Sequence, residues 1–227
     1  MVNTDVQEMF EAAVHFGHKI QKWNPKMKRY IYGAQNGVHL FDLEKTKENL
    51  DRALDFLKKN ASEGKKILFV STKAQAAHLI LEAARETNMP YVIHKWMAGL
   101  LTNFVTIRHR IRYFKKLKED EKSGEFDKYT KKEASELRKM IIKLETALGG
   151  VRDLDALPDV IFVADAVKDK LAVKEARKMK ILVVGIVDSN ADPDNIAYPI
   201  PANDDGIKPL TYLIDKVKCA ILEGKGG

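Results

Sequence analysis

Five aspartates crowd residues 188–205. Asp188 ends an apolar run, Asp192 and Asp194 follow it, and Asp204 and Asp205 close the next short run. If those runs are neighbouring strands of one parallel sheet, their ends converge. Converging carboxylates suit a divalent cation such as Mg²⁺, and a histidine nearby turns such a site toward Zn²⁺ or Mn²⁺. His15 and His18, three residues apart, could supply that nitrogen. The candidate ligands are His18, Asp188, Asp204 and Asp205. Two other readings use the same residues. One is ordinary turn chemistry, since Asp, Asn and Pro are what loops are made of. The other is a metal-dependent phosphoesterase working through Asp188, Asp204 and His18. Against hydrolysis, no nucleophile, general acid and base stand out as a set, and Asp188-Ser189-Asn190 lacks the second acid of a DxD motif.

A different chemistry lies near the N-terminus. Residues 19–32 hold Lys19, Lys22, Lys26, Lys28 and Arg29 with no acid, interleaved with Trp23, Tyr30 and Tyr32. Asn24-Pro25 breaks any helix there, so the stretch reads as irregular and exposed. Cations can pair with phosphates while rings stack on bases or sugars. A second basic run holds Arg108, Arg110, Arg112, Lys115, Lys116 and Lys118 ahead of any acid. Trp96, flanked by His94 and Lys95, could stack on RNA or anchor a loop. The candidate RNA-contact residues are Lys19, Lys22, Trp23, Lys26, Lys28, Arg29, Tyr30, Trp96, Arg108, Arg110, Arg112 and Lys115. A solvated surface is the plain alternative for both runs.

The elements that must position these groups follow from periodicity. Thr4 and Gln7 make a capping box for a first helix whose apolar face carries Val6, Met9, Phe10, Ala13 and Val14, with Gly17 as its stop. Residues 38–41 read as a short strand and 44–61 as a helix. Residues 66–70, 90–93, 159–164 and 181–187 are apolar runs, the mark of strands covered on both faces. Thr72 is placed to cap a helix over 73–86, and another helix spans 170–179. Residues 198–201 carry two prolines and can only be an edge strand. A last helix carries Ile207, Leu210, Leu213, Ile214, Val217 and Ile221. Strand alternating with helix predicts an α/β fold, a three-layer parallel sheet with helices on both faces, flavodoxin- or Rossmann-like. Residues 104–148 interrupt it. Their stripes, Phe104, Ile107, Ile111, Phe114 and then Leu137, Ile141, Leu144, Leu148, predict an inserted antiparallel helical hairpin of coiled-coil type. It holds 13 Lys or Arg against 8 acids, which leaves it basic. The α/β domain is therefore discontinuous, 1–103 and 149–227.

Composition bounds the rest. The chain has 227 residues, 45% of them hydrophobic, enough for one real core. Its net charge of +7 favours an anionic partner. Cys219 is the only cysteine, so no internal disulfide is available. No run of about 18 apolar residues predicts a membrane span, and the acid-containing N-terminus does not read as a secretion signal. The expected location is the cytoplasm. The turn after residue 70 has neither GxGxxG nor GxxxxGK[ST], so dinucleotide or nucleotide binding is not expected.

Several of these segments carry a resemblance. Val14-His15-Phe16-Gly17-His18 with Trp23-Asn24-Pro25-Lys26-Met27, then Leu43-Glu44-Lys45-Thr46, Leu68 to Lys73, Trp96 to Asn103, Leu157-Pro158-Asp159, Ile186 to Asn190 and Ile200 to Asp205 occur in the order found in one family. The chain resembles the second protein of the bacterial small ribosomal subunit over nearly its whole length. Some members carry a C-terminal extension that does not follow the last helix here. The resemblance implies a structural, non-enzymatic protein on the back of the subunit between head and body. It implies binding to small-subunit ribosomal RNA and neighbouring proteins, including small-subunit protein one, and late assembly. No cofactor is required, although a divalent metal (Mg or Zn) could be bound. Neither a membrane nor a homo-oligomer is expected.

Overall fold

A computed structural model describes residues 2 and 4–226. The first helix, α1, covers Val6–Glu11. Its cap is Asp5, whose carboxylate accepts from the Gln7 N–H, while the Thr4 hydroxyl goes instead to Asp51. The helix also stops sooner than its apolar pattern, because the chain turns through Ala13 at φ 60°.

Next comes a small antiparallel sheet that the sequence reading missed except for its middle strand. Its members are β1 (Phe16–Lys19), β2 (Ile31–Gln35) and β3 (Val38–Phe41), in the order β1-β3-β2. Between β1 and β2 the chain makes two 3-10 turns, Ile20–Lys22 and Pro25–Tyr30. Asn36 and Gly37, at φ 51° and 77°, close the β2–β3 hairpin, as the commonest two-residue loop requires. Residues 19–32 are therefore tethered at both ends by ladder hydrogen bonds.

The main sheet is parallel. Helix α2 (Leu43–Ser62) leads to β4 (Ile67–Val70), α3 (Ala74–Glu86) and β5 (Tyr91–Val92). Two helices follow, α4 (Phe104–Lys122) and α5 (Lys131–Leu148). Then come β6 (Val160–Val163), α6 (Lys170–Lys178), β7 (Leu182–Val187), β8 (Tyr198–Pro201) and α7 (Ile207–Gly226). The strand order is β5-β4-β6-β7-β8, and the proline-bearing β8 does lie at the edge. Ile67, Phe69, Phe162, Val184 and Ile186 face α1, α2, α3 and α7. Leu68, Val70, Ile161, Val163 and Val183 face α6, the roots of α4 and α5, and the N-terminal segment. With both faces covered, the strands must be apolar without alternation.

Helices α4 and α5 lie against each other over Phe114, Leu117, Phe126, Ala134 and Ile141. They run back along each other, since Lys118 meets Glu145 and Arg138 meets Glu121. Gly124 turns the chain at φ 77°, and a Thr130–Glu133 capping box starts α5. Gly150, just past α5, lies so close to β5 that a Cβ there would run into the Tyr91 carbonyl.

Candidate functional site

In a sheet of this order, ligands bind beyond the strand C-termini, at the crevice between the first and third strands. Here that is the gap between β4 and β6, and the chain fills it with its own side chains. Asp169 accepts from the Thr72 N–H at 3.0 Å and the Thr72 hydroxyl at 2.8 Å. Thr72 is thus drawn away from capping α3, which has no side-chain cap. Buried Lys73 reaches Asp204 at 2.7 Å, Asp205 at 2.7 Å and Asp165 at 3.1 Å. Burial pulls the Lys73 pKa down, but its hydrogen bonds to Asp204 and Asp205 outweigh this and raise it.

Next to this lysine the aspartates converge. Asp188, at the end of β7, is buried and accepts from the backbone N–H of His18 and of Asp204. His18 Nδ1 lies 3.0 Å from Asp188 Oδ1 without hydrogen-bond alignment, and its Nε2 lies 3.4 Å from Asp205. His18, Asp188 and Asp204 each bring one ligand atom to within 4.8 Å of the others. Gly17 allows this approach, because a Cβ there would press on Ser189 Oγ at 3.0 Å. Burial and the neighbouring Asp165 and Asp188 carboxylates push Asp204 up to about 7. The Asp188 carboxylate beside its ring raises the His18 pKa against the effect of burial. Asp165, Asp188 and Asp204 are all buried, and Lys73 is the one buried cation facing them among the described residues. Such a set has room in its charge balance for a divalent cation with nitrogen and oxygen ligands. The other aspartates of the group, Asp192 and Asp194, are absorbed elsewhere.

They pair with the basic stretch. Lys26 holds Asp192 at 2.9 Å and Asp194 at 3.1 Å, and Arg29 holds Asp194 at 2.8 Å. Lys19, Lys22 and Lys28 are exposed and make no ion pair among the described residues. Trp23 is half-buried and tilts on His39 at 5.0 Å. Tyr30 is half-buried under the Arg29 guanidinium, while Tyr32 is 82% exposed. On α4, Arg108 and Arg110 are exposed and unpaired among the described residues; Arg112 touches His109, and Lys115 meets Asp153 at 3.2 Å. By helical spacing, Arg108, Arg112 and Lys115 lie on one stripe, and Arg110 flanks the core from the other side.

Trp96 corrects one expectation. It is 7% exposed and donates its indole N–H to Glu175, so no ring face is open to a base. Glu175, on α6, also accepts from the N–H groups of Gly99, Leu101 and Thr102 and from the Thr102 hydroxyl. Burial works to raise its pKa, but these donors prevail and lower it. Sequence reasoning missed both Glu175 and Lys73. The signal for Lys73 was its place just beyond the C-terminal end of a wholly apolar strand. Glu175 had none, because its partners are backbone groups far along the chain.

The family model described as Ribosomal protein S2 matches residues 9–224. The chain is similar to small ribosomal subunit protein uS2 of Petrotoga mobilis (strain DSM 10674 / SJ95). The two are 45% identical over 222 residues, which is 98% of this chain and 77% of the relative.

Proposed function

Because the chain belongs to the ribosomal protein S2 family, we propose that it is a structural, RNA-binding component of the small subunit that makes and breaks no bond. Its work is in translation, on the cytoplasmic ribosome, and no described helix is long and apolar enough to cross a membrane. The observation that carries the RNA reading is the set of exposed cations without acidic partners: Lys19, Lys22 and Lys28 on the tethered stretch, Arg108 and Arg110 on α4. Trp23 and Tyr30 are the rings that shape this surface. Lys26 and Arg29 act through their aspartates, holding the stretch in place, rather than as free phosphate ligands. Each phosphate neutralised adds roughly 0.7 to 0.9 to the slope of log affinity against log salt. Changing Lys19, Lys22 and Lys28 together to Gln is expected to lower that slope for small-subunit ribosomal RNA by about 2. Filter binding over a salt series measures it, and an unchanged slope would leave the stretch merely solvated.

The same reading extends to neighbours. Phe10 stacks on His15 and Phe16 tilts against the same ring, with both phenylalanines exposed, which supports a contact with a neighbouring protein such as protein one. The phosphoesterase alternative finds no support in a chain of the ribosomal protein S2 family. Turnover of phosphate esters with Mg²⁺ or Mn²⁺, abolished by Asp188→Asn, would revive it.

We also infer that His18, Asp188, Asp204 and Asp205 hold a divalent cation, Zn²⁺ or Mg²⁺, that clamps β1 to the ends of β7 and β8. Its role is folding, by linkage of binding to the native state. A chelator should lower the melting temperature of the wild-type chain and leave Asp188→Asn unmoved. Metal analysis of the purified chain finding no ion, with melting indifferent to chelator, would retire the clamp.

A further inference from the structure

We propose that the solvent face of α6 is a second RNA-binding surface, gripping the phosphate backbone alongside the stretch at 19–32. The inference rests on the RNA-binding reading above and assigns it a surface that neither basic motif contains. Between Lys168 and Lys180 the chain carries six cations: Lys168, Lys170, Lys174, Arg177, Lys178 and Lys180. All six are exposed. The segment holds only two acids, Asp169 and Glu175, and both are buried. Asp169 is occupied by Thr72, and Glu175 by Trp96 and the loop after it. Their charges are spent inward, so the outer face is left wholly positive. None of the six makes an ion pair among the described residues, and Arg177 reaches only the Asn195 side-chain carbonyl.

Helical geometry sharpens the point. Lys170, Lys174, Arg177 and Lys178 fall at i, i+4, i+7 and i+8, one stripe opposite the buried Ala172, Val173 and Ala176. At about 1.5 Å rise per residue the stripe is about 12 Å long. Like charges at i, i+4 disfavour a helix, and solvated helix faces usually interleave the two signs there. The helix dipole accounts for Arg177, Lys178 and Lys180 at the C-terminal end. It opposes Lys168 and Lys170 at the N-terminal end. A polyanion laid along the stripe removes the repulsion at every position.

Placement supports the same partner. Helix α6 packs on the 3-10 turn Pro193–Asn195, which packs on the turn Pro25–Tyr30. On its other side Glu175 holds the loop that leads into α4. The stripe therefore lies between the two basic motifs and joins them into one surface. A membrane suits it poorly, because the helix's apolar side is already buried in the core and cannot insert.

The test uses the full chain and a small-subunit ribosomal RNA transcript, with filter binding between about 50 and 200 mM salt. One variant combines Lys170→Gln, Lys174→Gln, Arg177→Gln and Lys178→Gln. A control combines Arg52→Gln, Lys59→Gln, Lys66→Gln and Lys208→Gln, which removes the same net charge elsewhere. Thermal melting checks that both fold. The α6 variant should show a slope smaller by about 2 to 3 and an affinity at least 10-fold weaker at low salt, while the control stays near wild type. Equal slopes for variant and control overturn the α6 surface and leave the RNA-binding reading standing. Loss of binding to anionic lipid vesicles, with RNA binding unchanged, also overturns it. A wild-type chain indifferent to the transcript overturns both.

Discussion

Glu175 shows how one residue can set the course of a whole loop. Its two carboxylate oxygens receive five donors, from Trp96, Gly99, Leu101 and Thr102. Replacing it with Gln keeps the shape but turns an NH₂ group toward N–H donors. A charge-assisted set of this kind contributes about 2 to 3 kcal/mol, so Glu175→Gln is expected to lose about that much in urea unfolding at neutral pH. The pH dependence follows from the sign of the shift. The folded carboxyl titrates below its unfolded value of about 4.3, so its contribution is present above that pH and fades as pH falls through the lower, folded value. Wild type should therefore lose melting temperature faster than Glu175→Gln on acidification below about pH 4. Parallel curves for the two proteins would mean that the carboxylate's charge is not what holds the loop.

At the scale of elements, the parallel strands were legible because a strand covered on both faces must be apolar at every position, as residues 67–70, 160–163 and 182–187 are. The N-terminal sheet was not. Its strands are short and one-sided, and Asn24-Pro25 reads as a break although it only starts a 3-10 turn inside the β1–β2 connection. Asn36-Gly37 was the available hairpin signal, flanked by residues too polar to draw notice. The capping residues misled for a related reason: Thr4 and Thr72 found distant carboxylates, Asp51 and Asp169, which no local window can contain. The turn from α5 back to the sheet depends on Gly150, whose Cα hydrogens lie against β5. Gly150→Ala is expected to cost about 1 to 3 kcal/mol by overpacking. Because the clash is at the root of α4 and α5, the change should also shift the fluorescence of a dye placed at Ser123 relative to the core. An unshifted signal with unchanged stability would show that the root relaxes freely.

Over the whole molecule, an excess of seven positive charges is distributed unequally between the two faces of the sheet. On the face covered by α2, α3 and α7 several cations are matched, as Arg52 is by Glu48, Lys58 by Glu223 and Lys218 by Glu86, while Lys47, Lys59 and Lys208 make no ion pair among the described residues. The other face gathers Lys19, Lys22 and Lys28, the α6 stripe and the unpaired arginines of α4. Charge counting along the sequence found two of these three groups. It did not single out α6, where the burial of Asp169 and Glu175 leaves the outer face wholly positive. If the three groups form one surface for one RNA, their contributions should combine in a definite way. Sites far apart with no shared partner add in free energy to within about 0.3 to 0.5 kcal/mol. Joining the Lys19, Lys22 and Lys28 changes with the four α6 changes should then lower the salt slope by about 4 to 5, the sum of the separate effects. Filter binding of the combined variant decides the matter. A slope no lower than that of the stronger single set would mean that the two regions compete for the same phosphates, or that only one of them meets the RNA at all.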